Sequence, residues 1–202
     1  MSRAFTLAFD YLCPFARNVS EHLTASLRAG SDWDVRFVPY SLAQGHVEED
    51  EPAIWDRERP LEAAGILALA TGVAVRDTRP ERFLDVHDAL FAARHDQGRD
   101  LKEREVVADA LAVAGLDPAP ILAEVDRGGV LATVRAEHEQ VVAGHEVWGV
   151  PTFITETRAV FVRLLERPHP DPAVTRERIE QVLELVDGHT VLHEFKQADL
   201  PI

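Results

Sequence analysis

The chain of 202 residues is long enough to bury a substantial core, and its 46% apolar and 28% charged residues exclude a disordered or fibrous protein. Its 35 acidic and 21 basic residues give a net charge of −14, which argues against nucleic acid or an anionic membrane surface as a partner. A single cysteine excludes an internal disulfide, and no apolar stretch reaches the roughly 18 residues that span a bilayer.

The first forty residues predict a βαβ unit and carry no secretory signal pattern, so we expect a cytoplasmic protein. Residues 5–9 alternate in polarity as a strand does, and the turn that follows carries Cys13. Pro14 suits the first position of a helix, and apolar residues then recur every four positions. Residues 35–40 alternate again, which predicts a second strand parallel to the first.

The middle of the chain is helical in character. Residues 41–60 are acidic and show no sustained period, so we treat them as a connection. From residue 61 to 144, alanine and leucine are abundant and apolar residues recur every three or four positions, which predicts about five helices. Asp117 before a proline is typical of a helix N-cap, and Asp100 is a second candidate cap.

The last part of the chain predicts a β-hairpin and a final helix. Residues 152–155 and 159–164 are the two strands, joined by a turn at Glu156 and Thr157. The segment 171–188 then keeps apolar residues at helical spacing.

The element order is βαβ, a helical block, and ββα, which is the order of a thioredoxin fold with an insertion. The fold class is therefore α/β. We predict a thioredoxin-like domain over residues 1–45 and 146–202, with an inserted all-helical domain over residues 60–145.

Cys13 is the candidate catalytic residue. A cysteine directly before a helix places its sulfur near unpaired backbone N–H groups and the positive end of the helix dipole, and both favour the thiolate. We therefore expect a lowered thiol pKa and a nucleophilic sulfur. The alternative is that Cys13 is only a small buried hydrophobic residue.

Two segments resemble the DsbA-like branch of the thioredoxin superfamily. Phe9-Asp10-Tyr11-Leu12-Cys13-Pro14-Phe15-Ala16 is similar to the strand end and Cys-Pro-X-Cys motif of that branch, and Gly149-Val150-Pro151-Thr152-Phe153 is similar to its cis-proline loop. The resemblance covers nearly the whole chain. The branch includes disulfide oxidoreductases, 2-hydroxychromene-2-carboxylate isomerases and kappa-class glutathione transferases.

The resemblance implies roles for several residues around the sulfur. It gives Pro151 a cis peptide bond after Val150, so that the Val150 backbone lies beside the thiol and can pair with a partner. It implies that Pro14 and the helix start stabilise the thiolate, and that Phe15 and Trp148 border the site. Without the resemblance, the segment around Pro151 merely begins an edge strand.

The chain departs from the family motif at Ala16, which stands where the second cysteine would be. A redox cycle between two cysteines of this chain is therefore excluded, and an outside thiol must resolve any mixed disulfide. We expect no tightly bound cofactor, with mycothiol, glutathione or a protein disulfide as the reaction partner. The arginine-rich, lysine-poor composition hints at a GC-rich source in which mycothiol is the relevant thiol.

Other polar residues offer weaker functional candidates. Asp10 lies three residues before Cys13, where it can tune the thiol pKa, accept a proton or only cap the turn. His145 precedes the proline loop and is a second candidate for tuning that pKa. His138 and His145 are seven residues apart, which does not fit a helical zinc motif, so we expect no metal site.

Three functions remain open at this point. The first is a thiol oxidoreductase or thiol transferase that uses one cysteine. The second is an isomerase or kappa-transferase-like enzyme that uses a bound thiol. The third is a non-catalytic thioredoxin-like binding module. The sequence also leaves open whether the chain forms a homodimer.

Overall fold

The computed structural model describes residues 3–156, 158–188 and 191. The strands are β1 (Arg3–Phe9), β2 (Trp33–Pro39), β3 (Thr152–Ile154) and β4 (Ala159–Phe161). The helices are α1 (Pro14–Arg28), α2 (Leu42–Gly45), α3 (Ile66–Thr78), α4 (Pro80–His95), α5 (Arg104–Val113), α6 (Pro118–Asp126), α7 (Gly129–His145) and α8 (Pro172–Gly188).

The four described strands form one mixed sheet in the order β2-β1-β3-β4. β1 runs parallel to β2, with Leu7 opposite Phe37, and antiparallel to β3, with Leu7 opposite Phe153. β3 and β4 form the predicted antiparallel hairpin. This thioredoxin-like sheet, with α1 crossing between its two parallel strands, confirms the α/β fold class with a helical insertion.

Strand β4 is shorter than predicted, because it ends at Phe161 and not at residue 164. Its partner β3 offers only three residues for pairing. Beyond β4, the Val162 N–H donates to the Pro151 carbonyl at 3.1 Å, and the Leu164 carbonyl accepts from Asn18 on α1 at 2.8 Å. The backbone therefore leaves the sheet and passes alongside α1. Thr157, in the predicted turn, lies outside the described residues.

The helical block between β2 and β3 contains the five predicted helices, α3 to α7. The Asp117 carboxylate accepts from the Ala119 N–H at 3.1 Å, which confirms the predicted cap of α6. The expected cap at Asp100 is wrong, because its carboxylate accepts from Lys102 in a turn and α5 begins only at Arg104. The division into two domains stays a prediction.

The segment 41–60 is more ordered than the predicted connection. It contains α2 and a 3-10 turn at Ile54–Asp56, and a second 3-10 turn follows at Pro60–Glu62. Ser41 caps α2 by accepting from the Gln44 N–H at 3.0 Å. Four residues are too few for a helical period to be visible in the sequence.

Aromatic rings from the sheet and from α4 pack together directly beneath the turn that carries Cys13. The Tyr11 hydroxyl hydrogen-bonds His87 Nδ1 at 3.0 Å, and Phe9, Phe37 and Phe91 surround this pair. Burial lowers the pKa of His87 to about 3, so its imidazole is neutral at neutral pH. Tyr11, which follows the end of β1, is thereby packed against α4.

Candidate functional site

Cys13 is the N-cap residue of α1, as its position before Pro14 predicted. Its Sγ accepts a hydrogen bond from the Ala16 N–H at 3.4 Å, and its own N–H donates to the Asp10 carbonyl at 3.0 Å. The backbone is extended at Cys13, with φ −90° and ψ 117°, and becomes helical at Pro14. The sulfur therefore lies at the positive end of a helix of 15 residues.

The second predicted segment meets the sulfur across 137 residues of sequence. Cys13 Sγ donates to the Val150 carbonyl at 3.2 Å, and the Val150–Pro151 peptide bond is cis. The Thr152 hydroxyl holds the same loop by donating to the Gly149 carbonyl at 2.7 Å. The structure thus brings Cys13 and the proline loop into direct contact.

The charge state of Cys13 differs from the sequence-based expectation. Burial raises the pKa of the Cys13 thiol, because only 7% of the residue is exposed. The N–H groups of Ala16 and Phe15 oppose this rise, Asp10 adds to it, and Arg163 opposes it. The expected lowering of the pKa is therefore wrong for this conformation, in which burial outweighs the helix N-terminus.

Asp10 is fully buried and holds two turns together. One carboxylate oxygen accepts from the Leu12 N–H at 2.8 Å and the other from the Leu42 N–H at 2.7 Å. Burial raises the pKa of Asp10 to about 6, against the opposing effect of these two N–H groups. Asp10 therefore caps the turn and also acts on the Cys13 thiol, whose pKa its negative charge raises.

The rim of the site is aromatic on one side. Trp148 is 73% exposed, and its ring centroid lies 4.8 Å from that of Phe161. The Arg163 guanidinium carbon lies 5.1 Å from the ring centroid of half-buried Phe15 and 5.8 Å from that of Phe161. Pro14 is exposed at the first turn of α1. Of the predicted rim residues, Phe15 follows Cys13 on α1 and Trp148 lies on the loop before Pro151.

His145 and His138, the two histidines considered from the sequence, have surroundings other than the thiol. His145 lines an open cavity of about 300 Å³ with Ala4, Thr6 and Arg36, near the beginning of β1, whereas Cys13 follows its end. The structure does not bring His145 to the thiol, and His145 is not among the groups that shift its pKa. His138 is buried, and its Nδ1 accepts from the Ser41 N–H at 3.1 Å.

Within residues 3–156, 158–188 and 191, no group of three or more His, Cys, Asp or Glu side chains is placed to hold a metal ion. No helix in the part of the chain that the structure describes is long and apolar enough to cross a membrane.

Ala16 occupies the position of the missing second cysteine. Its side chain is fully buried, and its N–H faces Cys13 Sγ. The two positions are thus one helical turn apart, and the chain has no second cysteine. An exchange reaction at Cys13 therefore depends on another molecule for its second thiol.

Sequence reasoning missed two contributors to the site. The Leu42 N–H, which binds Asp10, lies 32 residues away from it, and no local pattern links the two. Arg163 did leave a signal, because it is a charged residue within an otherwise apolar predicted strand.

Comparisons with known proteins agree with this fold. The cytosolic disulfide reductase DsbM from Pseudomonas aeruginosa, solved with GSH, is similar in structure with a TM-score of 0.61 and 19% identity, over 90% of this chain and 100% of that chain. A probable DsbA oxidoreductase from Streptomyces coelicolor gives a TM-score of 0.61 and 16% identity, over 97% of this chain and 94% of that chain. BdbD from Bacillus subtilis gives a TM-score of 0.57 and 16% identity, over 90% of this chain and 87% of that chain.

At these identities the structural likenesses show the fold alone. No curated protein sequence matches the chain. A family model described as DSBA-like thioredoxin domain matches residues 6–165, which is most of the sequence. The chain therefore belongs to the DSBA-like thioredoxin domain family.

Proposed function

We propose that the protein is a thiol-disulfide oxidoreductase or thiol transferase that works through Cys13 alone. The observation that carries the proposal is the 3.2 Å contact between Cys13 Sγ and the Val150 carbonyl. It joins the start of α1 to the proline loop, the two segments on which the family resemblance rests. A thiol needed only for packing has no requirement for that polar neighbour.

The proposed reaction is disulfide exchange through a mixed disulfide. The Cys13 thiol loses its proton to water, and the thiolate attacks one sulfur of a partner disulfide. A new sulfur–sulfur bond forms at Cys13 while the partner disulfide breaks, and its other half leaves as a thiolate. A second, outside thiol then gives its proton to water and attacks the mixed disulfide as a thiolate, which breaks the bond at Cys13, releases Cys13 as a thiolate and forms a new disulfide. The outside thiol supplies the electrons.

The partner in this proposal is a low-molecular-weight thiol or a protein disulfide in a reducing compartment. Glutathione is supported by the similar structure of DsbM, a cytosolic disulfide reductase that was solved with GSH. Mycothiol is supported only by the composition of the chain. Because only the thiolate attacks, the raised pKa of Cys13 means that the reaction requires the thiol to lose its proton first.

Mixed-disulfide formation tests the proposal directly. The reduced protein is mixed with glutathione disulfide, and its intact mass is followed over time beside a Cys13→Ser control. We expect a glutathione adduct on the native chain, none on the control, and loss of the adduct when reduced glutathione is added. Failure of Cys13 to react with glutathione disulfide, a mycothiol disulfide and a peptide disulfide alike would overturn the proposal.

A second enzymatic function is favoured by one observation, the raised pKa of the Cys13 thiol. A protonated Cys13 is a hydrogen-bond donor and can hold the sulfur of a bound thiol without becoming oxidised. That is the isomerase or kappa-transferase-like alternative. Stable binding of reduced glutathione, followed by conjugation or isomerisation of an electrophile while Cys13 stays reduced, would support it. Binding that persists in Cys13→Ser, with no turnover by the native chain, would instead indicate a non-catalytic module.

A further inference from the structure

Arg163 is held in a fixed position beside the site by its neighbours in sequence. On one side, the Val162 N–H donates to the Pro151 carbonyl at 3.1 Å. On the other side, the Leu164 carbonyl accepts from Asn18 of α1 at 2.8 Å. The backbone at Arg163 is therefore tied both to the proline loop and to the helix that begins at Cys13.

The Arg163 side chain is exposed but packs against two rings. Its guanidinium carbon lies 5.1 Å from the Phe15 centroid and 5.8 Å from the Phe161 centroid, and Trp148 extends the aromatic surface from Phe161. Such contacts support the stem and one face of the guanidinium and leave its N–H groups available.

Arg163 forms no ion pair within residues 3–156, 158–188 and 191. Most arginines in the described part of the chain pair with carboxylates instead, although Arg79 is another that does not. The neighbouring Arg167, for example, binds both Glu21 and Asp96. Val162, the residue before Arg163, bonds the Pro151 carbonyl of the loop that contacts Cys13 Sγ. Arg163 is close enough to the sulfur for its positive charge to lower the pKa of the thiol.

We propose that Arg163, supported by Phe15 and Phe161, binds a carboxylate of the small thiol that exchanges with Cys13. The inference rests on the proposed function and narrows its partner to an anionic thiol. A planar guanidinium matches a carboxylate in a two-point hydrogen bond, and the adjoining rings accept the aliphatic part of the same molecule. Glutathione carries a carboxylate at both ends, whereas mycothiol, an uncharged sugar-linked thiol, carries none.

The test compares an anionic with a neutral disulfide. Rates of mixed-disulfide formation at Cys13 are measured with glutathione disulfide and with 2-hydroxyethyl disulfide, in the native chain and in Arg163→Met. The ratio of the two rates cancels any change in the reactivity of the sulfur itself. We expect Arg163→Met to lower this ratio about two- to fivefold, the range for one exposed ion pair. Arg163→Lys, which keeps the charge, should lower the ratio less than Arg163→Met does.

The matched control is Arg79→Met, which removes the same charge from an exposed arginine whose side chain, among the described residues, hydrogen-bonds only the Thr78 carbonyl. The control should leave the ratio unchanged. An equal fall in both variants would mean that only net charge matters, and an unchanged ratio in Arg163→Met would mean that Arg163 binds nothing. A native preference for the neutral disulfide would also overturn the proposal.

Binding without redox chemistry separates this inference from the proposed function. S-methylglutathione cannot exchange disulfides, and its dissociation constant is measured by calorimetry for the native chain and the same variants. We expect weaker binding in Arg163→Met alone. If Arg163 governs this binding while Cys13 never forms a mixed disulfide, the carboxylate site stands and the redox function fails. If Cys13 exchanges readily and the affinity for S-methylglutathione is the same with and without Arg163, the redox function stands and the carboxylate site fails.

Discussion

Replacing Asp10 with asparagine should remove a specific pH dependence of stability. The carboxyl group is fully buried, and its two oxygens accept from the Leu12 and Leu42 N–H groups. Asparagine has nearly the same shape but is always neutral. It can accept from only one of the two N–H groups, because its NH₂ faces the other.

The size of this pH-dependent change in stability follows from the pKa of Asp10, which burial raises from 3.8 to about 6. That difference corresponds to about 3 kcal/mol. Because the pKa is raised, folding favours the protonated form. Its contribution to stability is fully present below about pH 4 and is lost as the pH rises through about 6. In Asp10→Asn the unpaired N–H costs about 1 to 3 kcal/mol at every pH. The variant should therefore be less stable than the native chain at pH 4, and equal to it or up to about 2 kcal/mol more stable at pH 8.

Urea denaturation, followed by tryptophan fluorescence at several pH values between 4 and 8, measures this. The difference in free energy of unfolding between Asp10→Asn and the native chain should rise by about 3 kcal/mol across that range. Asp50→Asn makes the same chemical change in an exposed loop and serves as the control. A difference that does not vary with pH, or that falls as the pH rises, would refute the reasoning.

Three further variants test the packing and the motif. In Gly72→Ala the new methyl group meets the Tyr11 hydroxyl, so despite the better helix propensity of alanine the free energy of unfolding should fall by about 1 to 3 kcal/mol in urea denaturation. Glu137→Gln weakens the ion pair with Arg76, which is 2.7 Å long and mostly buried, and should cost about 2 to 3 kcal/mol in the same assay. Ala16→Cys adds a second thiol one turn from the first, so mild oxidation should remove two hydrogens from the intact mass; a variant that keeps both thiols would show that residue 16 is not a resolving position.

Local signals predicted most of the elements. Pro14 fixes the start of α1 and Asp117 caps α6, and each acts within a few residues of its own position. The contact between the sulfur and Val150 was anticipated from family resemblance, since no local pattern links positions so far apart.

Properties that depend on burial were not predictable in this way. The direction of the Cys13 pKa shift depends on how much of the chain covers the sulfur, and only the folded structure shows that. Asp100 has the composition of a cap, yet α5 begins later, at Arg104. Arg163 becomes a candidate only once α1 and β4 place Phe15 and Phe161 beneath it.

Asp10 and Arg163 act on the Cys13 thiol in opposite directions, and their surroundings make the two effects separable. The negative charge of Asp10 raises the pKa of Cys13 and is buried, whereas the positive charge of Arg163 lowers it and is exposed. Salt screens exposed charges far more than buried ones. In alkylation profiles against pH, Asp10→Asn should therefore lower the pKa of Cys13 at low and high salt alike. Arg163→Met should raise it at low salt only, and the double variant should show the sum of the two shifts. Equal screening of both effects would mean that Asp10 reaches the sulfur through solvent, which its burial does not allow.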